Sequence, residues 1–394
     1  MAVNEKKVVV IADADSRLKW VYNVALQLVS SSNIEIVIIG KMPADEQLEA
    51  LPSSGLDCFE DIYSFRETAT NFSQYSAVIC SATGSLLNML IVDLHNVPDR
   101  PSIITGYEGL VYEKHIEGLL WRYGSDVILV NSPADLALFS SALKELGLDD
   151  GCLHCVGFGR LAHGGEQVDY LAKNKIVFAT QPSVPVTYME RAFLLDCFIK
   201  FAESNPGLEV IIKGRVKPGE GLGTPYKEKH PYELIGEDIA KKTPLPPNLI
   251  FSYERMDAVL LEARALVSIS STAMLEAMAM GVPAIALSDL GIRESYGNHF
   301  FLGAGIFSTF DNMLQMDRFD MSRSTWSEQV GLLHSEPLNW SLVKRREITP
   351  FYCFSGSSYG EYMKDFALGA KLRRRGLRYR IFLLLRRYAR KWLV

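Results

Sequence analysis

The sequence predicts two Rossmann-like α/β domains facing a cleft, with ligands at the C-terminal ends of the strands. Three observations lead there. Short continuous apolar runs alternate with segments of helical apolar spacing, the pattern of parallel strands covered on both faces. That alternation stops near residue 160 and restarts at residue 175. The 394 residues are 48% hydrophobic and 22% charged, an ordinary globular composition with room for two domains.

Val8–Ala12 is the first β-rich run. Helical spacing follows over Leu18–Ser30, at Leu18, Val21, Val24, Ala25 and Leu28. Ile34–Ile39 is the second run and ends at Gly40. Ala77–Cys80 is the third, with a helix expected over Ser85–Leu94. Ser102–Thr105 is the fourth and ends at Gly106. Val127–Asn131 is the fifth. Ser132-Pro133 then opens a helix to Leu146, with proline at an early helical position. Cys155–Gly159 closes this unit, and the polar stretch Leu161–Asn174 reads as a linker. The second unit offers strands at Lys175–Thr180, Leu208–Lys213, Leu249–Ser252, Ala265–Ile269 and Ala284–Leu287. Its helices include Tyr188–Glu203 and Ala273–Met280, the latter closed by Gly281. The expected organisation is therefore a domain over 1–160, a linker over 161–174 and a second domain over 175–311. A helical segment over 312–370 should pack back across both, ahead of a tail at 371–394.

The net charge of −5 conceals two unlike parts. Residues 371–394 carry ten Lys and Arg and no Asp or Glu. Residues 1–370 hold 31 basic against 46 acidic residues, or −15. A nucleic-acid binder would carry its basic patch on the fold itself, so no nucleic-acid partner is expected. On a helical wheel Leu377, Ile381, Leu384, Leu385, Tyr388 and Trp392 share one face of the tail, with arginines around it. That is the pattern of an interfacial anchor on an anionic membrane; the alternatives are an oligomerisation helix, hence a homodimer, or an RNA contact. No apolar run approaches the roughly 20 residues of a membrane span. The first seven residues run into a strand with no h-region, so no secretion signal is expected. The scattered cysteines, Cys152 and Cys155 included, read as plain reduced thiols in a cytoplasmic protein.

Four short motifs border the expected cleft. Asp13-Ala14-Asp15 ends the first strand; it reads either as a divalent-cation pair or, with more weight, as cleft-edge loop residues. No Gly-x-Gly-x-x-Gly follows, so a nicotinamide or flavin cofactor is not expected. Tyr107-Glu108-Gly109 follows the fourth strand; Glu108 could stand free as a general base or be a solvated loop residue. His230-Pro231 lies near Lys213, Arg215, Lys217, Lys227 and Lys229, a local basic exception in an acidic body that reads equally as a site for an anionic ligand such as phosphate or as a solvated basic loop. Ser268 to Thr272 join a strand to a helix, where hydroxyls and free N–H groups cap the helix or bind phosphate. Glu276, one turn on, reads equally as an acceptor for a ribose diol or as a surface helix residue.

The run from Ser270 through Glu276 to Pro283 resembles the nucleotide-binding unit of GT-B glycosyltransferases. Tyr107-Glu108-Gly109, His230-Pro231 and Ser271-Thr272, in that order, resemble the three motifs of bacterial sialyltransferases and capsule Kdo transferases. One position departs: Tyr107 stands where those families carry a first acidic residue, and Glu113 is a nearby competitor for the base. The resemblance implies a GT-B fold and an inverting, metal-independent transfer of an acidic sugar from a CMP-sugar. That sugar would be sialic, pseudaminic or legionaminic acid, or Kdo. It implies Glu108 as base and His230 at the donor phosphate. Donor contacts would come from Gln181, Lys213, Arg215, Ser270, Ser271, Thr272 and Glu276, and acceptor contacts from Asp13, Asp15, Ser16 and Lys19. No cofactor beyond the CMP-sugar substrate is implied. The acceptor would be a glycan or lipid-linked glycan of capsule or lipopolysaccharide, reached at the inner face of the cytoplasmic membrane.

Three rivals remain. A retaining GT-B transferase of the large group would carry a glutamate eight residues before Glu276, where this chain has Ser268. A UDP-sugar 2-epimerase, or a UDP-sugar-using transferase, shares the double Rossmann form. A membrane-bound sugar-nucleotide sensor would bind without turnover.

Overall fold

The computed structural model describes residues 6–40, 51, 53–67, 71–109, 116–157, 169–219, 228–315, 325–332 and 336–352. Two parallel sheets organise them. The first has seven strands: β1 (Val8–Ala12), β2 (Ile34–Ile39), β3 (Gly55–Phe59), β4 (Ala77–Ser81), β5 (Ser102–Gly106), β6 (Val127–Val130) and β7 (Leu153–Cys155). Their order is β3-β2-β1-β4-β5-β6-β7. Five helices connect them: α1 (Asp15–Ala25), α2 (Ile62–Glu67), α3 (Gly84–His95), α4 (Ile116–Arg122) and α5 (Pro133–Glu145). The second sheet has six strands: β8 (Lys175–Ala179), β9 (Glu209–Lys213), β10 (Leu249–Ser252), β11 (Ala263–Ser268), β12 (Ala284–Leu287) and β13 (Phe307–Ser308). Their order is β10-β9-β8-β11-β12-β13. Helices α6 (Tyr188–Ser204), α7 (Tyr232–Ala240), α8 (Met256–Leu261) and α9 (Ala273–Ala279) accompany it.

The apolar runs become strands because both faces are covered. Val8, Val10 and Ala12 of β1 pack with Leu18, Val21 and Ala25 of α1. Val9 and Ile11 pack on the other side, with Leu87, Leu90 and Ile91 of α3. The second sheet repeats the division, with Val177 and Ala179 on one face and Ile176 and Phe178 on the other. Each fully buried Val, Leu or Ile contributes about 1.5–3 kcal/mol relative to exposure. Helix α6 is closed at its start by a capping box, Thr187 and Glu190 bonding to each other's backbone.

Three features differ from expectation. The edge strands β3 and β13 were not expected; β3 pairs only with β2 and is mostly exposed, so it needs no apolar run. Helix α1 starts at Asp15, three residues early, which brings Ser16 and Arg17 onto it. Among the described residues of 310–352, helix is confined to a 3-10 turn over Phe310–Gln315 and to α10 (Thr325–Gln329). Residues 336–352 are irregular, with Pro337 and Pro350 opposing a helix.

This last stretch nevertheless crosses between the sheets. Trp326 is buried in the second domain's core and its Nε1 donates to the Phe300 carbonyl at 3.0 Å. Leu338 and Val343 are buried in the first domain's core, and Trp340 Nε1 donates to the Leu28 carbonyl at 2.9 Å. A buried pair anchors the crossing. Arg100 donates to both Asp126 oxygens at 2.6 and 2.9 Å, and Asp126 also accepts from the Arg346 N–H at 2.6 Å. Residues 353–394, including the basic tail, lie outside the described residues, as do Glu113 and Lys227. Among the described residues no helix is long and apolar enough to cross a membrane.

Candidate active site

Each sheet reverses its strand order once, between β1 and β4 and between β8 and β11. In open parallel sheets ligands settle in the crevice at that reversal, beyond the strand C-termini. Three of the four sequence motifs fall at or beside it, whereas His230-Pro231 lies on the loop before α7. Asp13 follows β1, Ser81 ends β4, and Glu108 follows β5 next door. Gln181 follows β8, and Ser268 to Thr272 follow or end β11.

In the first domain the Tyr107-Glu108-Gly109 loop is pinned from below. Asn131 Nδ2 donates to the carbonyls of Tyr107 and Gly109, both at 2.9 Å. The Tyr107 ring is buried against Phe139 at 5.2 Å, with the Arg122 guanidinium 4.1 Å from its centroid. Arg122 Nε donates to the Gly106 carbonyl at 2.9 Å. A side chain at Gly106 would begin 2.6 Å from the Leu129 carbonyl and 2.7 Å from Trp20, so only glycine fits there. Tyr107 is thus a core residue, which gives its departure from an acidic residue a physical sense. Glu108 turns the other way and remains 28% exposed.

Arg17 Nε donates to Glu108 Oε1 at 3.1 Å, and Ser81 Oγ lies 3.4 Å from Oε2. Arg17 also donates to Asp13 Oδ1 at 2.6 Å, while the Thr83 N–H donates to Asp13 Oδ2 at 2.9 Å. Burial alone would raise the Glu108 pKa. Arg17 and Arg122, with hydrogen bonds from its own backbone and Arg17, outweigh it and hold the carboxyl below its ordinary 4.5. Both Asp13 oxygens are occupied by Arg17 and Thr83, so its place is in this network. Among the described residues no group of three His, Cys, Asp or Glu could hold a metal ion. Asp15 opens α1, and Ser16 beside it is half-buried. Lys19 is exposed, close enough to favour the charged forms of Asp257 and Glu276 in the second domain.

In the second domain, Gln181 and Ser270 are engaged with each other. Gln181 Nε2 donates to Ser270 Oγ at 3.1 Å, and the Ser270 N–H donates to Gln181 Oε1 at 3.0 Å. Ser270 Oγ also reaches the Tyr296 carbonyl. Here the two side chains join the ends of β8 and β11. Ser271 Oγ accepts from the Ala273 N–H at 3.3 Å. Thr272 is exposed and makes no capping bond; its methyl lies 3.6 Å from where a side chain at Gly109 would begin. The glutamate loop and the hydroxyl loop therefore meet across the cleft. Glu276 is half-buried, and burial raises its pKa against the pull of Lys19 and Arg215.

Lys213 ends β9, in register with Ala179 and Ser252. It is 6% exposed, and its ammonium bonds the Gly214 carbonyl. Burial, reinforced by Arg215 and opposed by Glu254, pushes its pKa down to about 8. Arg215, Lys217 and Lys229 are exposed nearby in the chain. The His230 ring stands edge-on to Tyr188, centroids 5.7 Å apart.

Two arginines that hold the loops of the site are not evident from the sequence. Arg17 is one. Arg191, 1% exposed on α6, is the other. It donates to the carbonyls of Pro185 (2.8 Å), Gln181 (2.7 Å), Pro182 (2.9 Å) and His230 (3.1 Å), and to Glu228 Oε2 at 2.8 Å. One side chain thereby fastens the loops that carry Gln181 and His230. The available signal was a charged residue on an apolar stripe, since Leu194, Leu195 and Phe198 lie three, four and seven positions on.

Two Rossmann-type sheets with their switch points facing define the GT-B fold. Within that class, the chain belongs to the family described as "Putative glycosyltransferase (DUF6716)", which matches residues 8–345. Among solved structures, Anabaena HepE in complex with UDP and glucose superposes with a TM-score of 0.52 at 12% identity, covering 86% of this chain and 97% of that one. A protein from Listeria monocytogenes, titled "putative UDP-N-acetylglucosamine 2-epimerase", superposes at 0.53 with 13% identity, covering 84% and 92%. At such identities the likeness is one of fold. Among curated proteins no sequence matches.

Proposed function

We propose that this chain is an inverting, metal-independent glycosyltransferase that moves an acidic sugar from a CMP-sugar to a glycan or lipid-linked acceptor. The carrying observation is the Glu108 loop meeting Thr272 across the cleft, a carboxylate held ionised on one side and hydroxyls on the other. Glu108 takes the proton from the acceptor hydroxyl as that oxygen attacks the anomeric carbon. Asp15, Ser16 and Lys19 lie on the acceptor side. On the donor side Lys213, Arg215 and His230 offset the phosphate charge that grows as CMP leaves, with Ser271 and Thr272 donating to its oxygens. Donors aimed at such charge contribute on the order of 2.7–4 kcal/mol each in well-studied cases. Glu276 accepts from the ribose diol. CMP specificity and an acidic sugar rest on the order of the three motifs alone. The basic tail would hold the enzyme on the inner membrane face, near a lipid-linked acceptor.

A UDP-sugar donor is the second reading, favoured by the fold shared with HepE, whose complex contains UDP and glucose. Thermal-shift measurement with CMP, UDP and GDP separates the two, since a ligand that binds the folded state stabilises it by mass action. Preferential stabilisation by CMP supports the first reading; preference for UDP replaces it with the second. His230→Ala and Glu108→Ala are each expected to lower turnover by roughly 10²-fold or more. Near-normal turnover in Glu108→Ala would remove Glu108 as the base.

A further inference from the structure

We propose that Arg17 is the positioning residue that keeps Glu108 ionised and aimed into the cleft, and that Asp13 sets the strength of its hold. The functional consequence rests on Glu108 as the base; the contact itself does not. Arg17 presents two edges of one guanidinium to two carboxylates, Nε to Glu108 and NH1 to Asp13. Asp13 cannot turn away, because the Thr83 N–H holds its other oxygen. Arg17 thus ties the start of α1 to a loop 91 residues later. Both side chains are largely withdrawn from water, 20% and 28% exposed, so their attraction is screened less than that of a surface pair.

The other neighbours are placed differently. Arg122 of α4 contributes charge, but its donors go to the Gly106 and Gly118 carbonyls. Ser81 of β4 is uncharged and at 3.4 Å. Asp135 of α5 lies near Tyr107, on the core side of the loop. Across the cleft Thr272 is uncharged, and the carboxylates Asp257 and Glu276 sit near Lys19. Arg17 is therefore the one described cation bonded to Glu108.

The test is a pH titration of the full chain carrying ¹³C-labelled glutamate, with the Glu108 carboxyl signal assigned by its loss in Glu108→Gln. Arg17→Met should raise the Glu108 pKa by about 1–3 units, the range for removing a paired arginine. Arg17→Lys should restore part of that shift, keeping the charge but not the fork. Asp13→Asn should move the pKa the other way, because a competing, repelling carboxylate is gone. General loosening of the loop would not give opposite signs for these two neighbours. A shift under about 0.3 unit in Arg17→Met, or the same sign in both variants, overturns the assignment. In the transfer reaction Arg17→Met should lower kcat about 10²-fold with donor KM unchanged. The acid limb of kcat/KM should rise together with the NMR value. If Glu108→Gln keeps full turnover, the base reading fails, and the Arg17 assignment is judged by the titration alone.

Discussion

Replacing Lys213 by methionine should make the protein more stable while weakening its hold on an anionic nucleotide. Lys213 is buried at the end of β9 with a pKa near 8, against an ordinary 10.5 in the unfolded chain. Between those values the unfolded chain binds the proton and the folded chain does not, so stability rises with pH across that window. Below it the charged lysine carries its whole penalty, about 3 kcal/mol for a shift of this size. Methionine has similar length and no charge. It removes the penalty and forfeits the hydrogen bond to Gly214, about 1 kcal/mol. The variant should therefore be about 2 kcal/mol more stable than wild type near pH 7, and that advantage should shrink and reverse, toward about 1 kcal/mol less stable, as the pH rises above 10.5 and the lysine becomes neutral in both states. Urea unfolding of both proteins across this range measures the difference. CMP or UDP should stabilise wild type more than the variant, because a bound phosphate pairs with the lysine's charge and offsets its burial penalty. A variant less stable at neutral pH, or a difference that does not vary with pH, would refute the reasoning.

Other substitutions test the scaffold. Arg191→Met should cost about 3–5 kcal/mol, because it strands the buried Glu228 carboxylate, and adding Glu228→Gln should recover much of the loss in thermal melts. Asp126→Asn should cost a similar amount by leaving Arg100 unneutralised, and should expose residues 336–352 to limited proteolysis. Gly106→Ala should cost at least about 1–3 kcal/mol through its clash with Leu129 and Trp20. Gly207→Ala, with nothing within 4 Å, should stay within about 0.5 kcal/mol by urea midpoint.

How much was legible in the chain depends on the range of each interaction. Val8–Ala12 is readable as a strand because burial on both faces demands five apolar residues in a row. Gly55–Phe59 is not, because an edge strand with exposed Leu56 needs no such run. The motifs at the strand ends were readable as residue types, and the switch points do collect them. What each side chain touches was not readable. Glu108 and Arg17 stand 91 positions apart, and Arg191 and Glu228 stand 37 apart; such pairs leave no periodic trace. Ser270 shows the converse limit. Its type suits phosphate binding, yet its hydroxyl is engaged with Gln181 and Tyr296, as only the fold could show.

The placement of charge across the cleft follows from the same topology. The first domain's switch point gathers Asp13 and Glu108 and balances them with Arg17. In the second domain Lys213 ends β9 with Arg215 just beyond it, and the bond of the Lys213 ammonium is to the Gly214 carbonyl and not to a carboxylate. A site complete in itself would pair that lysine, because an unpaired buried cation works against folding. Its persistence at a strand end is economical if an anion completes it. On the proposed mechanism the two domains would divide the work, Glu108 of the first removing a proton and Lys213 of the second meeting a phosphate leaving group.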